Sequence, residues 1–418
     1  MLDKNRKSNY SSTPEGFLTF QSYLTFACIM RKFRNTDSIV SAEDWFASGD
    51  RVHFDPNHKR IVSKADANTV TVFEKVIKPT SMRKDSVRWI TFLPGFPDGS
   101  YGFAKIEREL NGASNTNMHI GDIGDNSPQL YIEYVGQGDS DTPKSYCYST
   151  VERANLVEAQ WRAKGVEQTV LVTFDYSSLV MLELLQRQKE RVQGNGSAYP
   201  RIDHVLSVNG GYFVDGHSHP FTTTPLLKSP IGRLGSRMAQ RSNLVVDQML
   251  KPLWSKEYRA RELTRQELRE TVKAIRMHKG AAFMSAAAGF VDEHEQNSER
   301  WNLHDIYVDF CKDHGITFHI VGSAKDRFEH NQIQLVRERL APYYPQVKTE
   351  TIPGGHLSLS EQPSRIVEMI QSLARRGTTD QAVRSWTTVD PATQSHPWSS
   401  MDQPPPQTRK YPWSTVRQ

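Results

Sequence analysis

Cysteine is scarce in this chain, with three in 418 residues at Cys28, Cys147 and Cys311. Their odd number and wide spacing argue against a disulfide framework and against a thiolate metal site. Nothing in this pattern requires an oxidising environment, so a reducing compartment, the cytoplasm, is the expected location.

The sequence also lacks a strong excess of one charge. Its 52 Lys and Arg residues against 47 Asp and Glu residues give a net charge of +5, spread along the chain. No basic cluster is dense enough, or interleaved with enough aromatic residues, to form a nucleic-acid groove. We therefore expect no nucleic-acid partner.

Long apolar runs are missing as well. The best candidate is GFLTFQSYLTFACIM at 16–30, which polar residues interrupt and which Arg31, Lys32 and Arg34 follow. Crossing a bilayer takes roughly 20 apolar residues, and no small-residue cleavage pattern of a secretory signal follows the run. Aromatic residues beside cations also suit a helix resting on a membrane surface. Peripheral contact through residues 16–34, for example at the endoplasmic reticulum, therefore stays open beside a cytoplasmic location.

What the sequence does contain is a regular alternation of apolar strand-like runs and helix-forming segments. Two short runs at 51–54 and 69–76 predict an entry hairpin or meander. Four further strands are predicted at 87–93, 130–134, 169–174 and 202–208, and three helices at 103–110, 149–164 and 177–191. Strands alternating with helices at this spacing predict a mostly parallel sheet covered on both faces.

The pattern changes between residues 209 and 300, where helix-forming stretches such as 262–278 replace the strands. It then resumes with predicted elements at 316–321, 332–340, 347–352 and 363–375. This predicts five parts of the chain: an N-terminal extension at 1–40, a core at 41–208 and 301–376, an inserted helical lid at 209–300, and a tail at 377–418. The tail is rich in Thr, Ser, Pro and Gln, which predicts disorder.

The stretch VLVTFDYSSLVMLEL at 170–184 joins a buried strand to a helix with no loop between them. This pattern is typical of a nucleophile elbow, whose sharp turn requires small residues two before and two after the nucleophile. Thr173 and Ser177 satisfy this requirement if Asp175 is the nucleophile. Centring the turn on Tyr176 or Ser177 places a Phe or a Leu at a flanking position. Asp175 is therefore the predicted nucleophile, and a simple helix N-cap is the alternative.

Several blocks of the sequence together resemble a known family. They are WITFLPGFPDGSYGFAKI, YVGQGDSDTP, VTFDYSSLV, HIVGSAKDRF and PGGHLSLSEQP. Their order and spacing resemble those of the α/β-hydrolase superfamily, and an Asp followed by an aromatic residue at the elbow resembles its epoxide hydrolase and haloalkane dehalogenase branch. The resemblance runs from residue 41 to residue 375. It implies an α/β-hydrolase fold, with a mostly parallel central sheet flanked by helices, an inserted helical lid and no cofactor.

The resemblance also implies roles for single residues. Asp175 would attack carbon and form an ester with the substrate, and His356 in PGGHLSLSEQP would activate the water that hydrolyses this ester. Asp326 in VGSAKDRF would orient the imidazole, completing a catalytic triad. The backbone N–H groups of Phe96 and Tyr176 would stabilise the oxyanion.

The implied reaction is the hydrolysis of an epoxide, or of a related apolar small molecule, in a pocket that includes lid residues Phe283, Met284 and Phe290. Two alternatives stay open: a carboxylic-ester hydrolase, and a non-catalytic binding protein with a hydrolase fold. These alternatives stay open because the chain departs from the family pattern at three positions. Pro94 stands where a histidine is usual, and Ser177 and Ser178 stand where glycines are usual. The oligomeric state is not predicted.

Two further groups of residues are weaker candidates. Epoxide hydrolases use lid tyrosines to protonate the ring oxygen, and Tyr212 and Tyr258 are candidates by location only. The histidines of DGHSHP at 215–220 and of DEHE at 292–295 could bind a metal. They lack partners at a recognised spacing, so we expect them to lie on the solvated surface and expect no metal site.

Overall fold

A computed structural model describes residues 39–56, 69–79, 88–112, 127–144, 146–194, 196, 200–219 and 224–375. The possible membrane-contact stretch at 16–34 and the tail at 377–418 lie outside the described residues, as does most of the N-terminal extension. Of the helices in the described part of the chain, none combines the length and the apolar character that crossing a bilayer requires.

One eight-stranded sheet runs through the centre of the molecule. Its strands are β1 (Asp50–Phe54), β2 (Val70–Ile77), β3 (Arg88–Leu93), β4 (Gln129–Ile132), β5 (Gln168–Phe174), β6 (Arg201–Val208), β7 (Thr317–Ser323) and β8 (Val347–Ile352). Their order across the sheet is β1-β2-β4-β3-β5-β6-β7-β8. β2 pairs antiparallel with both β1 and β4, and the other neighbours are parallel. The nucleophile strand β5 therefore lies in the parallel part of the sheet.

Helices connect and cover these strands. They are α1 (Ala42–Ala47), α2 (Ala104–Gly112), α3 (Thr150–Lys164), α4 (Ser177–Gln193), α5 (Thr224–Lys228), α6 (Pro230–Ala239), α7 (Asn243–Leu250), α8 (Lys256–Arg261), α9 (Arg265–Arg276), α10 (Met284–Ala287), α11 (Phe290–Gln296), α12 (Leu303–Ile306), α13 (Gln332–Leu340), α14 (Ser358–Glu361) and α15 (Pro363–Ala374). Short 3-10 turns lie at Ser100–Phe103, Val214–Gly216, Lys251–Leu253, Met277–Phe283 and Ala341–Tyr343, and a π-helical turn follows α12 at Tyr307–Cys311.

Local sequence sets the ends of these elements. α3 begins after Ser149, whose hydroxyl accepts the N–H of Glu152, and it ends at Gly165, which takes a left-handed φ of 66°. Such an N-cap satisfies one of the free N–H groups of the first turn, and glycine adopts a left-handed end without a Cβ clash. The interior strand β6 is buried at all eight positions, as expected for a parallel strand covered on both faces.

Two apolar clusters cover the two faces of the sheet. One packs around Trp161 of α3 and Leu182 of α4. The other packs around Phe103, next to α2, and Ile370 of α15. Packing on both faces holds the strands in place. In sheets of this kind ligands bind at the carboxyl ends of the strands.

The predicted core elements are confirmed to within one or two residues at most ends. The predicted hairpin is β1 and β2, and the helix predicted at 262–278 is α9, which is shorter because the chain kinks at His278 and Lys279, both at positive φ. Between β6 and β7 the described chain is helical throughout, in many short pieces. We call the segment from 209 to 300 the helical insertion; its action as a lid stays a prediction.

Candidate active site

Asp175 lies at the turn between β5 and α4, at the carboxyl edge of the sheet. Its φ is +53°, a left-handed conformation that is uncommon for a residue with a side chain. Its N–H donates to the carbonyl of Val208, 2.9 Å away on the neighbouring strand. The side chain is buried, and Asp175 is 5% exposed. The structure therefore places the predicted nucleophile at a strained turn of the type that an elbow requires.

Ser177 and Ser178 fit this turn without the freedom of glycine. Asp175 alone takes a positive φ there, while both serines already belong to α4. Neither serine therefore needs the positive φ that favours glycine, because helical backbone accepts a residue with a side chain. Ser178 instead bonds Gly211, accepting its N–H at 3.0 Å and donating to its carbonyl at 3.1 Å.

Two backbone donors face the carboxylate of Asp175. The N–H of Phe96 donates to its Oδ2 atom at 2.9 Å. The N–H of Tyr176 also stabilises the carboxylate. The structure therefore brings together the two donors that were predicted to form the oxyanion site.

The loop that carries Phe96 is held by side chains of the neighbouring elements. The hydroxyl of Ser177 donates to the carbonyl of Pro94 at 2.5 Å and accepts the hydroxyl of Tyr134 at 2.8 Å. The side-chain amide of Gln137 donates to the carbonyl of Gly95 at 2.9 Å. The loop is thus braced without the histidine that Pro94 replaces, and the serine that departs from the family pattern supplies part of the brace.

His356 lies between the two carboxylates that the sequence assigned to it. Its Nε2 atom is 3.5 Å from Oδ1 of Asp175, and its Nδ1 atom is 3.0 Å from Oδ2 of Asp326. Asp326 also accepts the N–H of Phe328 at 2.8 Å, and the amide of Asn209 donates to the carbonyl of His356 at 2.7 Å. The three predicted triad residues therefore meet, all buried, although they are far apart in sequence.

The charges of the triad act strongly on one another. Burial raises the pKa of Asp175, and the charge of His356 and the two backbone donors oppose this. Burial alone would lower the pKa of His356, but Asp326 and Asp175 outweigh it and raise that pKa to about 9. At neutral pH His356 is therefore an imidazolium in the resting state.

Two further buried carboxylates lie close to the triad and were missed in the sequence. Burial raises the pKa of Asp98 to about 7, in spite of its interaction with His356. Its Oδ1 atom has no hydrogen-bond partner among the described residues. Burial likewise raises the pKa of Glu133 to about 8, although Ser100 donates both its N–H and its hydroxyl to that side chain. Asp98 falls in a turn-rich stretch where Asp is common, so nothing near it in the sequence indicates that it is buried.

A narrow cleft lies beside the oxyanion donors, and its lining does not include Asp175 or His356. Its walls include Phe96, Tyr148, Tyr176, Phe283 and Met284. Two of the three predicted pocket residues of the helical insertion therefore line this cleft. The third, Phe290, packs on the ring of Tyr176 at 5.7 Å.

The tyrosines named as possible proton donors do not line this cleft. The hydroxyl of Tyr212 donates to Ser207 at 2.9 Å. That of Tyr258 donates to Glu267 at 2.9 Å and accepts from Lys105 at 2.6 Å. Both hydroxyls are therefore engaged in networks of their own.

The prediction that the histidines of DGHSHP and DEHE lie on the solvated surface is wrong. The side chains of His217 and His219 are only 6% and 8% exposed, and His294 is 1% exposed. They contact one another and Glu329, which was not singled out in the sequence. Segments more than a hundred residues apart form this cluster, so no local spacing could reveal it.

Known proteins of similar sequence and structure support the fold described above. No protein-family model matches the chain. Blocks such as FDYSSLVMLELL and LSVNGGYF resemble the mesoderm-specific transcript protein, and the human homologue is 28% identical over 215 residues, 51% of this chain and 58% of the relative. The chain thus matches little more than half the length of that relative. The putative hydrolase LipZ of Mycobacterium tuberculosis is 22% identical over 306 residues, 71% of this chain and 93% of the relative.

Solved structures share the architecture at low sequence identity. The haloalkane dehalogenase DatA from Agrobacterium tumefaciens has a TM-score of 0.55 at 15% identity, covering 78% of this chain and 96% of its own. A bromoperoxidase from Bacillus anthracis has a TM-score of 0.54 at 12% identity, covering 78% and 100%. The chain therefore has the α/β-hydrolase fold.

Proposed function

We propose that the protein is a hydrolase that opens a small epoxide through a covalent ester on Asp175. One observation carries this proposal. A buried carboxylate at a strained turn accepts the N–H of Phe96 and lies 3.5 Å from an imidazole that a second carboxylate orients. A structural N-cap would not need the imidazole or the second carboxylate, so the arrangement favours covalent catalysis.

In the first step an oxygen of Asp175 attacks a ring carbon of the epoxide. A bond forms between this oxygen and the carbon while the ring C–O bond breaks, and the released alkoxide takes a proton. The imidazolium of His356 is the donor available beside Asp175, because the raised pKa keeps it protonated at neutral pH. The cleft hydroxyls of Tyr148 and Tyr176 donate instead to Pro143 and Gln137.

In the second step the neutral His356 takes a proton from water, and the hydroxide attacks the ester carbonyl. The N–H groups of Phe96 and Tyr176 stabilise the negative oxygen of the tetrahedral intermediate. Its collapse expels the diol, which takes the proton back from His356. Asp175 is released as the acid and returns its proton to His356, which restores the starting pair.

The same nucleophile can displace halide from a haloalkane, a reaction that needs no proton for the leaving group. The apolar walls of the cleft, with Phe283 and Met284, suit an organic substrate of either kind. We place the epoxide first because an imidazolium next to the nucleophile supplies the proton that ring opening consumes.

The test is covalent trapping in the variant His356→Gln. Without a base the ester cannot be hydrolysed, so intact mass spectrometry should show a stable adduct after incubation with a panel of small epoxides and haloalkanes. Epoxide adducts should form slowly, because the variant also lacks the imidazolium that protonates the alkoxide, whereas haloalkanes need no such proton. An epoxide adds its full mass, and a haloalkane adds its mass less that of the hydrogen halide. Peptide mapping should place the adduct on Asp175.

Two controls make the result specific. His304→Gln, at a side chain 42% exposed, should turn over substrate without accumulating an adduct. The double variant Asp175→Ala with His356→Gln should form none. A folded His356→Gln protein that forms no adduct with any compound would favour the binding-protein alternative. Ester hydrolysis that survives Asp175→Ala would favour a carboxylic-ester hydrolase.

A further inference from the structure

A second buried cluster lies beside the triad, where the segment after β6 meets the segment after β7. Nδ1 of His217 is 2.9 Å from Oε1 of Glu329, and Nε2 of His219 is 3.0 Å from the same oxygen. The three side chains are between 2% and 8% exposed. Two imidazoles thus converge on one carboxylate away from bulk water.

The other ring nitrogens of the two histidines also have polar neighbours. Nε2 of His217 is 2.7 Å from Nδ1 of His294, whose own Nε2 faces the carbonyl of Trp301 at 3.3 Å. Nδ1 of His219 is 2.9 Å from the hydroxyl of Thr224. Histidines that bind a metal usually donate the opposite N–H to such an acceptor, which fixes the ring orientation.

The hydrogen-bond partners of these rings allow a metal to be bound with no ring charged. With a metal on His217 and His219, every ring stays neutral: His217 donates to His294, and His294 donates to Trp301. Without a metal both ligand nitrogens must carry hydrogens to reach Glu329. His217 then has to accept from His294, and two acceptors are left facing each other at Trp301, unless a buried ring carries an extra proton.

We propose that His217, His219 and Glu329 bind a divalent transition-metal ion of the zinc class. Two imidazoles and one carboxylate suit zinc and its neighbours, whereas magnesium and calcium prefer oxygen ligands. Tetrahedral zinc with bonds of 2.0–2.1 Å needs ligand atoms about 3.3 Å apart. The two distances to Glu329, 2.9 and 3.0 Å, need only a small outward shift, and the three ligand atoms all lie within 4.8 Å of one another. Three protein ligands leave a further coordination position for water.

The site would hold the loop of the triad acid against the start of the helical insertion. The N–H of Glu329 lies 3.4 Å from Oδ1 of Asp326. The ring of Phe328 stacks on His219 and meets the edge of His356 at 4.8 Å between ring centres. We therefore assign the ion a positioning role, in which it fixes Asp326 and Phe328 around the catalytic imidazole.

The experiment uses the full chain, free of affinity tag and stripped with a chelator. Zn²⁺ added in excess and then removed by desalting should leave one ion per chain by elemental analysis, and should raise the melting temperature. Co²⁺ should give the visible absorption bands of a tetrahedral site. Glu329→Gln and His219→Gln should each lose the stoichiometric ion and the bands, while His304→Gln should keep both.

A graded variant separates metal binding from folding. His294→Gln keeps all three ligands but alters the partner of His217, so we expect zinc affinity to fall about 10–100-fold with an unchanged circular dichroism spectrum. Two results would overturn the proposal: a chain that retains no zinc after desalting, and a folded Glu329→Gln protein that retains zinc as the native chain does.

An independent observation concerns the substrate of the proposed reaction. Arg153 of α3 is 4% exposed, and its guanidinium lies 4.5 Å from the ring of Tyr176, where it lines the same cleft as Phe96. Its Nη1 atom has no hydrogen-bond partner in the described part of the chain. The charge of Glu293 acts on it without forming a close ion pair with it.

The rings of Tyr134 and Tyr176 and the charge of Glu293 favour the charged form of Arg153, and its Nη1 atom can donate to one further acceptor, for which an anion is the best match. We infer that the substrate carries an acidic group, such as a carboxylate, which pairs with Arg153 while its reactive carbon meets Asp175. This inference rests on the proposed function. Guanidinium and carboxylate match in geometry and can form two parallel hydrogen bonds.

The test compares two epoxides that differ only in a carboxylate or a neutral amide, using adduct formation in His356→Gln. The acid should react at least tenfold faster, and Arg153→Met should remove this preference by slowing the reaction of the acid much more than that of the amide. Equal rates for both epoxides would overturn this inference alone. The absence of any adduct from either compound, and from the wider panel, would instead count against the covalent mechanism.

Discussion

His356 shows how single charges set the state of the site. Because Asp326 and Asp175 hold its pKa near 9, the free protein keeps the ring protonated at neutral pH. In the proposed reaction Asp175 becomes an ester and loses its charge, so the pKa of His356 should fall and the ring could then act as a base. The same side chain can thus supply a proton in one step and accept one in the next.

We predict that nuclear magnetic resonance will find the pKa of His356 near 9 and that Asp175→Asn will lower it. The cause is the loss of one of the two negative charges that favour the imidazolium. The resonance is identified by its absence in His356→Gln. Asp305→Asn, on the protein surface, should leave this pKa unchanged. A native pKa at or below the ordinary 6.5 would contradict the charge state assigned to the site.

A second prediction concerns the effect of Asp98 on how the stability of the folded protein depends on pH. Its pKa is raised from 3.8 to about 7 in the folded protein, so between these values the folded state holds a proton that the unfolded state has lost. Stability from this group therefore falls as pH rises from 4 to 7. Asp98→Asn should raise the melting temperature more at pH 8 than at pH 5. Asp313→Asn, at a side chain 67% exposed, should change it equally at both pH values.

The residues of the site differ in how far the sequence could predict them. Asp175 followed from the small residues around a strand-to-helix turn, which is local information. Asp326 and His356 followed only from the family resemblance, because nothing near either residue marks it. Asp98 and Glu329 were missed, since a buried carboxylate is distinguished from a surface one by packing that distant segments create.

At the scale of elements, Ser177 connects the first turn of α4 to the loop after β3. Its hydroxyl holds the Pro94 carbonyl and receives the hydroxyl of Tyr134. The nucleophile turn and the loop that carries Phe96 are thus held together by one buried side chain.

We predict that Ser177→Ala will lower the free energy of unfolding by about 1–3 kcal/mol, because it leaves buried polar groups unpaired. It should also slow adduct formation in the His356→Gln background, since the Phe96 N–H is no longer held in place. Ser178→Ala is the matched control, because it breaks comparable bonds to Gly211 away from that loop. Equal slowing by both variants would contradict the specific role of Ser177.

The strands were predictable and the short helices were not, for a physical reason. Interior parallel strands such as β3 and β5 are buried on both faces and so are rich in apolar residues, as in RWITFL and QTVLVTF. The helices of the insertion are short, and their starts depend on side-chain caps at Ser229, Ser255 and Thr264. Ser and Thr are equally common in turns, so periodicity alone could not divide that region.

At the scale of the whole molecule, the two apolar clusters on either side of the sheet carry most of the stability. Trp161 belongs to one of them, is 1% exposed and donates its ring N–H to Thr91 at 3.0 Å. We predict that Trp161→Ala will cost about 3–5 kcal/mol in guanidinium unfolding. Leu244→Ala, at a residue 67% exposed, should stay within about 0.5 kcal/mol of the native protein. Similar losses for both would show that the sheet-facing cluster is not the main core.

The pairing of β6 with β7 has a consequence during synthesis. β7 leaves the ribosome only after the intervening helical segment. Until then, the edge of β6 that later pairs with β7 has no partner. At about 5–20 residues per second this interval lasts on the order of 5–20 s. A strand edge with open N–H and C=O groups invites pairing between chains. The nascent polypeptide is therefore most prone to aggregate in this window, when a chaperone that shields β6 would protect it best.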